Sequence, residues 1–129
     1  MTPTTRLLVQ GASLVIIYDA VAAMISKQFS LPYGNFTAGS LFIYAAVGFF
    51  ASRLNAKRNL VAAILAGAFI GFADATLGWF VSNLIGPGRP ATPLTPLLWV
   101  FVASTVILSA AVLAAIGYGI GKLVFRRSV

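Results

Sequence analysis

The chain has no cysteine and no histidine, and only two of its 129 residues are acidic. The first two absences exclude disulfides, thiolate chemistry, His-ligated haem and most zinc sites. There is no Gly-rich phosphate loop, no cluster of metal ligands and no nucleophile elbow. An enzyme would have to work with two aspartates and hydroxyl groups alone, so the chain is expected to be non-catalytic, with no cofactor and no metal. Charge of either sign is scarce, at 9% of residues against 60% hydrophobic. A soluble domain carries roughly 25% charged residues. A fold of this size cannot hide so much apolar surface from water, so its solvent is a bilayer.

What charge there is carries a sign. Nine Lys and Arg against two acids give a net +7 and a mean hydropathy of +0.97. The basic residues flank apolar runs, which points to anionic lipid headgroups and away from nucleic acid. Four such runs are present: Leu7 to Ile25, Phe36 to Ser52, Leu60 to Leu84, and Leu97 to about Gly121. Each is near the ~20 residues that cross a hydrocarbon core. All six prolines lie outside them, as helix interiors require. The first run is too long for a cleavable signal and holds Gln10 and Asp19, so it belongs to the protein proper. The fold expected is an all-α, four-helix transmembrane bundle forming one integral membrane domain over 1–129. Arg53 to Asn59 reads as a tight basic turn and Ile85 to Pro96 as an extended connection.

Orientation follows from the same residues. Arg6, Arg53, Lys57, Arg58, Lys122, Arg126 and Arg127 fall on one side, and only Lys27 and Arg89 on the other. Both termini are therefore expected in the cytoplasm, in a prokaryotic cytoplasmic (inner) membrane. Arg53, Lys57, Arg58, Lys122, Arg126 and Arg127 are the expected contacts to anionic headgroups on that side. Trp79, Trp99 and Tyr33 would then gather at the outer interface.

The end of the second helix, AAVGFFASRL from Ala45, resembles the end of the fourth, AAIGYGIGKL from Ala114, at an offset of 69. The offset also pairs Arg53, Lys57 and Arg58 with Lys122, Arg126 and Arg127. Gly11-Ala12 before Asp19 is echoed by Gly67-Ala68 before Asp74, 55 or 56 residues on. The chain thus reads as a tandem duplication of a two-helix hairpin, with halves of about 7–58 and 60–127 and a pseudo-axis along the membrane normal.

In the third run, Ala63, Gly67, Gly71, Asp74, Gly78 and Ser82 share one helical stripe, nearly bare of side chain, while Phe69, Ile70, Phe72, Leu77 and Phe80 cover much of the rest. Gly67, Gly71, Gly78, Gly117 and Gly121 are the expected helix-packing positions. Asp19 and Asp74 lie inside spans that contain no basic residue. An aspartate at a helix centre costs about 2.5–3.5 kcal/mol on insertion scales. The carboxyls must then be protonated and hydrogen-bonded, share a proton, or bind a cation. With Tyr18 and Tyr118 they form the candidate ion, proton or interhelical polar site. Two roles follow. The first is a non-catalytic, helix-packing accessory subunit or homo-oligomer, with a second copy or another membrane protein as partner. The second is a small proton- or cation-coupled transporter or channel. Replacing both aspartates by Asn leaves the first intact and abolishes the second. A water-filled cavity reaching either Asp favours the second; a dry seam with the carboxyls hydrogen-bonded to their neighbours favours the first.

Overall fold

The computed structural model describes residues 1–54 and 60–126. It is an all-α bundle of four helices: α1 (Pro3–Phe29), α2 (Thr37–Leu54), α3 (Leu60–Ile85) and α4 (Pro96–Arg126). A 3-10 turn, Tyr33–Phe36, leads into α2. Counting that turn with α2, all four are long and apolar enough to cross a membrane.

The helices outrun the apolar segments that announce them. α1 starts at Pro3, not Leu7, because Thr2 caps it: its hydroxyl accepts the Thr5 N–H at 3.1 Å. Pro3 and Pro96 are the first residues of their helices, where the missing N–H has no intrahelical acceptor to lose. α4 continues past Gly121 to Arg126. At the other end of α1, Ser30 takes a left-handed conformation (φ 53°) and its N–H returns to Ser26 O. The connection from Ile85 is not extended at its start. Gly86 to Arg89 form a turn that folds back on α3, with the Gly88 N–H bonded to Ser82 O at 3.3 Å and Trp79 Nε1 donating to Gly88 O at 3.0 Å. Trp79 stacks on Trp99 with centroids 6.5 Å apart, which ties the end of α3 to the start of α4.

Leu7 of α1 packs against Ala51, Ala63 and Tyr118, so the start of α1 and α3 and the end of α2 and α4 share one end of the bundle. This is the terminal end; the opposite is the loop end. α2 and α3 each pack closely on all three other helices, while the backbones of α1 and α4 stay apart among the described residues. The core joins Val15 of α1, Ile43, Tyr44 and Val47 of α2, Ala66 and Ile70 of α3, and Ala110 of α4. Ile70, off the bare stripe, is nevertheless fully buried and packs where Gly11 leaves room. Phe69, Phe72, Leu77 and Phe80 do face outward, as a lipid-bathed surface permits.

Helices in lipid gain little from the hydrophobic effect on meeting one another, so they need close contact between backbones. The parallel pair α2 and α4 achieves it at the terminal end. A β-carbon at Gly48 would overlap the carbonyl of Ala114, and one at Gly117 would overlap the carbonyl of Ala45. At an offset of 69 these two contacts are reciprocal. Gly121 meets Ser52, its own counterpart at that offset. On the other side of α4, Gly67 lies on Ala110 and Ala114, and Gly71 on Ala110 and Ile107. The small-residue stripes are thus used inside one chain.

The seam can be tested by adding one methyl group. Gly48→Ala or Gly117→Ala forces main chain apart, and overpacking of this kind costs typically about 1–3 kcal/mol. Gly119, two residues from Gly117, has nothing within 4 Å of its would-be β-carbon. The expected outcome in detergent melts is a lowered Tm for the first two variants and an unchanged or raised Tm for Gly119→Ala.

Candidate functional site: a carboxyl pair beside a cavity

Asp19 lies on the buried face of α1, in step with Val15, Ala22, Ala23 and Ser26. It is 5% exposed. Asp74 opens a five-residue π-helical turn, Asp74–Gly78, inside α3. The Trp79 N–H reaches back five residues to Asp74 O. A π-turn adds one residue to a helical circuit and shifts the face that follows, a device concentrated at functional sites. Here Gly78, Ser82 and Asp74 stay on the protein-facing side together.

The two carboxyls meet over Gly78. A β-carbon there would overlap Asp19 Oδ2 and stand 3.0 Å from Asp74 Oδ1. Gly78, expected as a helix-packing position, therefore makes room for a side chain, not for another backbone. Tyr44 of α2 donates its hydroxyl to Asp74 Oδ2, and Tyr33 of the 3-10 turn donates to Asp19 Oδ1 at 3.3 Å. Asp19 Oδ2 is buried and accepts no hydrogen bond among the described residues. An unpaired buried acceptor costs about 1–3 kcal/mol, more when it is charged. A proton between the carboxyls is the smallest group that would satisfy it.

Beside the pair lies a cavity of about 370 Å³ whose wall includes both acids. Three of the four tyrosines (Tyr18, Tyr33 and Tyr44) and one of the two tryptophans, Trp79, line it, with Phe36 and the hydroxyls of Ser40, Ser82 and Ser109. No Lys or Arg does. The two basic residues of the loop end are used elsewhere: Lys27 donates to Ile85 O at 3.2 Å, and Arg89 Nε to Asn83 O at 3.1 Å. Both close off carbonyls near the end of α3. The cavity belongs to the loop-end half of the bundle, where α2 contributes Ser40 and Tyr44 and α4 contributes Val102, Val106 and Ser109.

Of the residues singled out beforehand, Asp19, Asp74 and Tyr18 come together here, but Tyr18 does not bond to either acid. Its hydroxyl donates to Phe36 O at 2.6 Å, in space left by Gly39. Tyr118 is not at this site; it packs near the terminal end beside Ala51 and Ala63, with Lys122 Nζ 5.5 Å from its ring centroid. Arg53 lies 5.5 Å over the Phe125 ring, and Arg126 ends α4 in an exposed position. Lys57, Arg58 and Arg127 lie outside the described residues. Tyr33 was assigned to the interface belt, yet it reaches inward because the 3-10 turn folds its chain back over Asp19. Thr76 and Thr105 bond back to Phe72 O and Phe101 O of their own helices and do not reach the acids. Among the described residues no group of three or more potential metal ligands is present. No known family model matches this chain, and no curated protein or solved structure matches it either.

The contact over Gly78 makes a double-mutant cycle informative. Gly78→Ala drives a methyl into Asp19 Oδ2 and should lower the Tm. In an Asp19→Ala background that penalty should largely vanish. A coupling energy between about 0.5 and 3 kcal/mol, as contacting residues give, is the expected result; strict additivity in melts would show that the two residues do not meet.

Proposed function

We propose that this chain is a small proton- or cation-coupled membrane transporter or channel whose ion site is the Asp19–Asp74 pair. The observation that carries the reading is the unbonded, buried Oδ2 of Asp19 next to a second carboxyl, on the wall of a cavity. This pair has tyrosine donors on two oxygens, and the buried Oδ2 of Asp19 lies against Asp74, a place that a shared proton or a cation would fill. Intramembrane acids facing a cavity are the usual seats of proton and cation exchange. A proton held over Gly78 and a cation in front of Asp74 would compete for the same negative charge, and such competition is the elementary step of exchange.

The accessory-subunit reading keeps less support, because the glycine seams that would serve association are covered by the chain's own α2, α3 and α4. Two dispositions complete the proposal. The reciprocal Gly48–Ala114 and Gly117–Ala45 contacts support a tandem duplication of a two-helix hairpin. The bias of basic residues toward the terminal end supports cytoplasmic termini in a prokaryotic inner membrane, with anionic lipid as their neighbour. With no histidine or cysteine in the chain, we read the role as transport and not catalysis.

Purified protein reconstituted in liposomes should carry a proton or monovalent-cation flux. Asp19→Asn and Asp74→Asn should each reduce that flux at least tenfold, while size-exclusion profiles stay unchanged. In parallel, the Tm of the parent protein should move with pH or with added sodium or potassium, and the double Asn variant should not respond. Equal flux in parent and variants would overturn the reading.

A further inference from the structure

The cavity beside the acids is lined with more rings than a bare ion needs. We infer that its occupant is a lipophilic organic cation, a quaternary ammonium carrying apolar groups, admitted sideways from the bilayer. The inference rests on the carboxyl-pair reading above and adds the class of cargo.

Three features of the wall carry it. The first is size. At about 370 Å³ the cavity sits at the low end of the roughly 300–1,000 Å³ that small-molecule sites occupy, and it exceeds what a dehydrated metal ion fills. The second is chemistry. Calcium asks for 6–8 oxygen ligands and magnesium for a near-octahedral set. The wall instead brings the rings of Tyr18, Tyr33, Phe36, Tyr44 and Trp79 to a space that also holds Asp19 and Asp74. Rings and carboxylates together attract a charge that cannot donate hydrogen bonds, and ring faces are what quaternary ammonium groups are recognised by. Asp19, 5% exposed and with one oxygen unbonded, supplies uncompensated acceptor capacity behind Asp74. No basic side chain lines the wall to cancel the acids.

The third feature is the way in. Most of the lining is buried or half-buried, but Thr37 and Leu41 of α2 and Thr105 of α4 are exposed. These residues mark an opening between α2 and α4, on the flank of the bundle. The glycine contacts between these two helices, at Gly48, Gly117 and Gly121, lie nearer the terminal end. An opening on the flank of a membrane-spanning bundle, with Leu41 on its rim, faces the bilayer, so the molecule that enters there must partition into lipid as well as carry a charge.

The test uses benzyltrimethylammonium and its uncharged carbon isostere, neopentylbenzene, on the full chain in detergent and in nanodiscs. Trp79 lines the cavity, so a Trp99→Phe background gives a single reporter at the site, with isothermal titration as an independent readout. Saturable binding of the ammonium, at least tenfold weaker for neopentylbenzene, is expected. Asp74→Asn should weaken it at least tenfold. Leu41→Lys, a substitution at the exposed rim that leaves the acids in place, should weaken it as well. Equal binding of the isostere would overturn the inference, since the site would then read shape and not charge. Binding that survives both substitutions would place the ligand elsewhere and overturn it too. A sodium-, potassium- or pH-dependent Tm without any response to the ammonium would overturn the organic-cation cargo and leave the carboxyl-pair reading standing. No response to any of these would overturn both.

Discussion

Everything in this bundle hangs on the approach of α2 and α4 to backbone contact. In lipid there is no bulk hydrophobic force to bring one apolar helix to another, so the helices hold where their surfaces are bare enough to touch. Gly48 against Ala114 and Gly117 against Ala45 fix the two helices at one end. Gly67 and Gly71 then bring α3 onto the neighbouring face of α4. Tyr44 and Trp79, in the other half of the bundle, stand around the cavity beside the acids.

Placing two aspartates next to that cavity works against insertion, and the local structure shows how the cost is contained. The π-turn at Asp74–Gly78 keeps Asp74 turned toward protein while the glycine closing the turn opens space for Asp19. Tyr33 and Tyr44 come from a different helix and its leading turn, so the pair is held from outside its own helices. Each of these donors constrains one oxygen. The remaining oxygen of Asp19 is buried over Gly78, facing the other carboxyl.

The architecture was largely legible in the amino-acid order, because membrane helices announce themselves by length and apolarity. Four runs became four helices, and the stripe Ala63, Gly67, Gly71, Gly78 and Ser82 is buried throughout. Boundaries were less legible: caps such as Thr2 and Thr95 lie in polar sequence and start helices before their apolar parts. The π-turn had no signal, since Asp-Ala-Thr-Leu-Gly contains no proline and reads as ordinary helix. The acids themselves were conspicuous as the only two in the chain. Their partners were not. Tyr44 is one of several hydroxyl-bearing residues within the spans, and spacing alone does not single it out; Tyr33 reaches Asp19 from a turn whose inward fold depends on tertiary contacts. Tyr118 carried the same chemistry as Tyr44 but sits near the opposite end of its helix pair, and only depth in the bundle tells them apart.

The two acids have partners of different kinds. Asp74 accepts from Tyr44, inside a helix, while Asp19 accepts from Tyr33 of the 3-10 turn at 3.3 Å. A turn can shift without unwinding a helix, so the bond to Asp19 is the one that can open while the bundle stays whole.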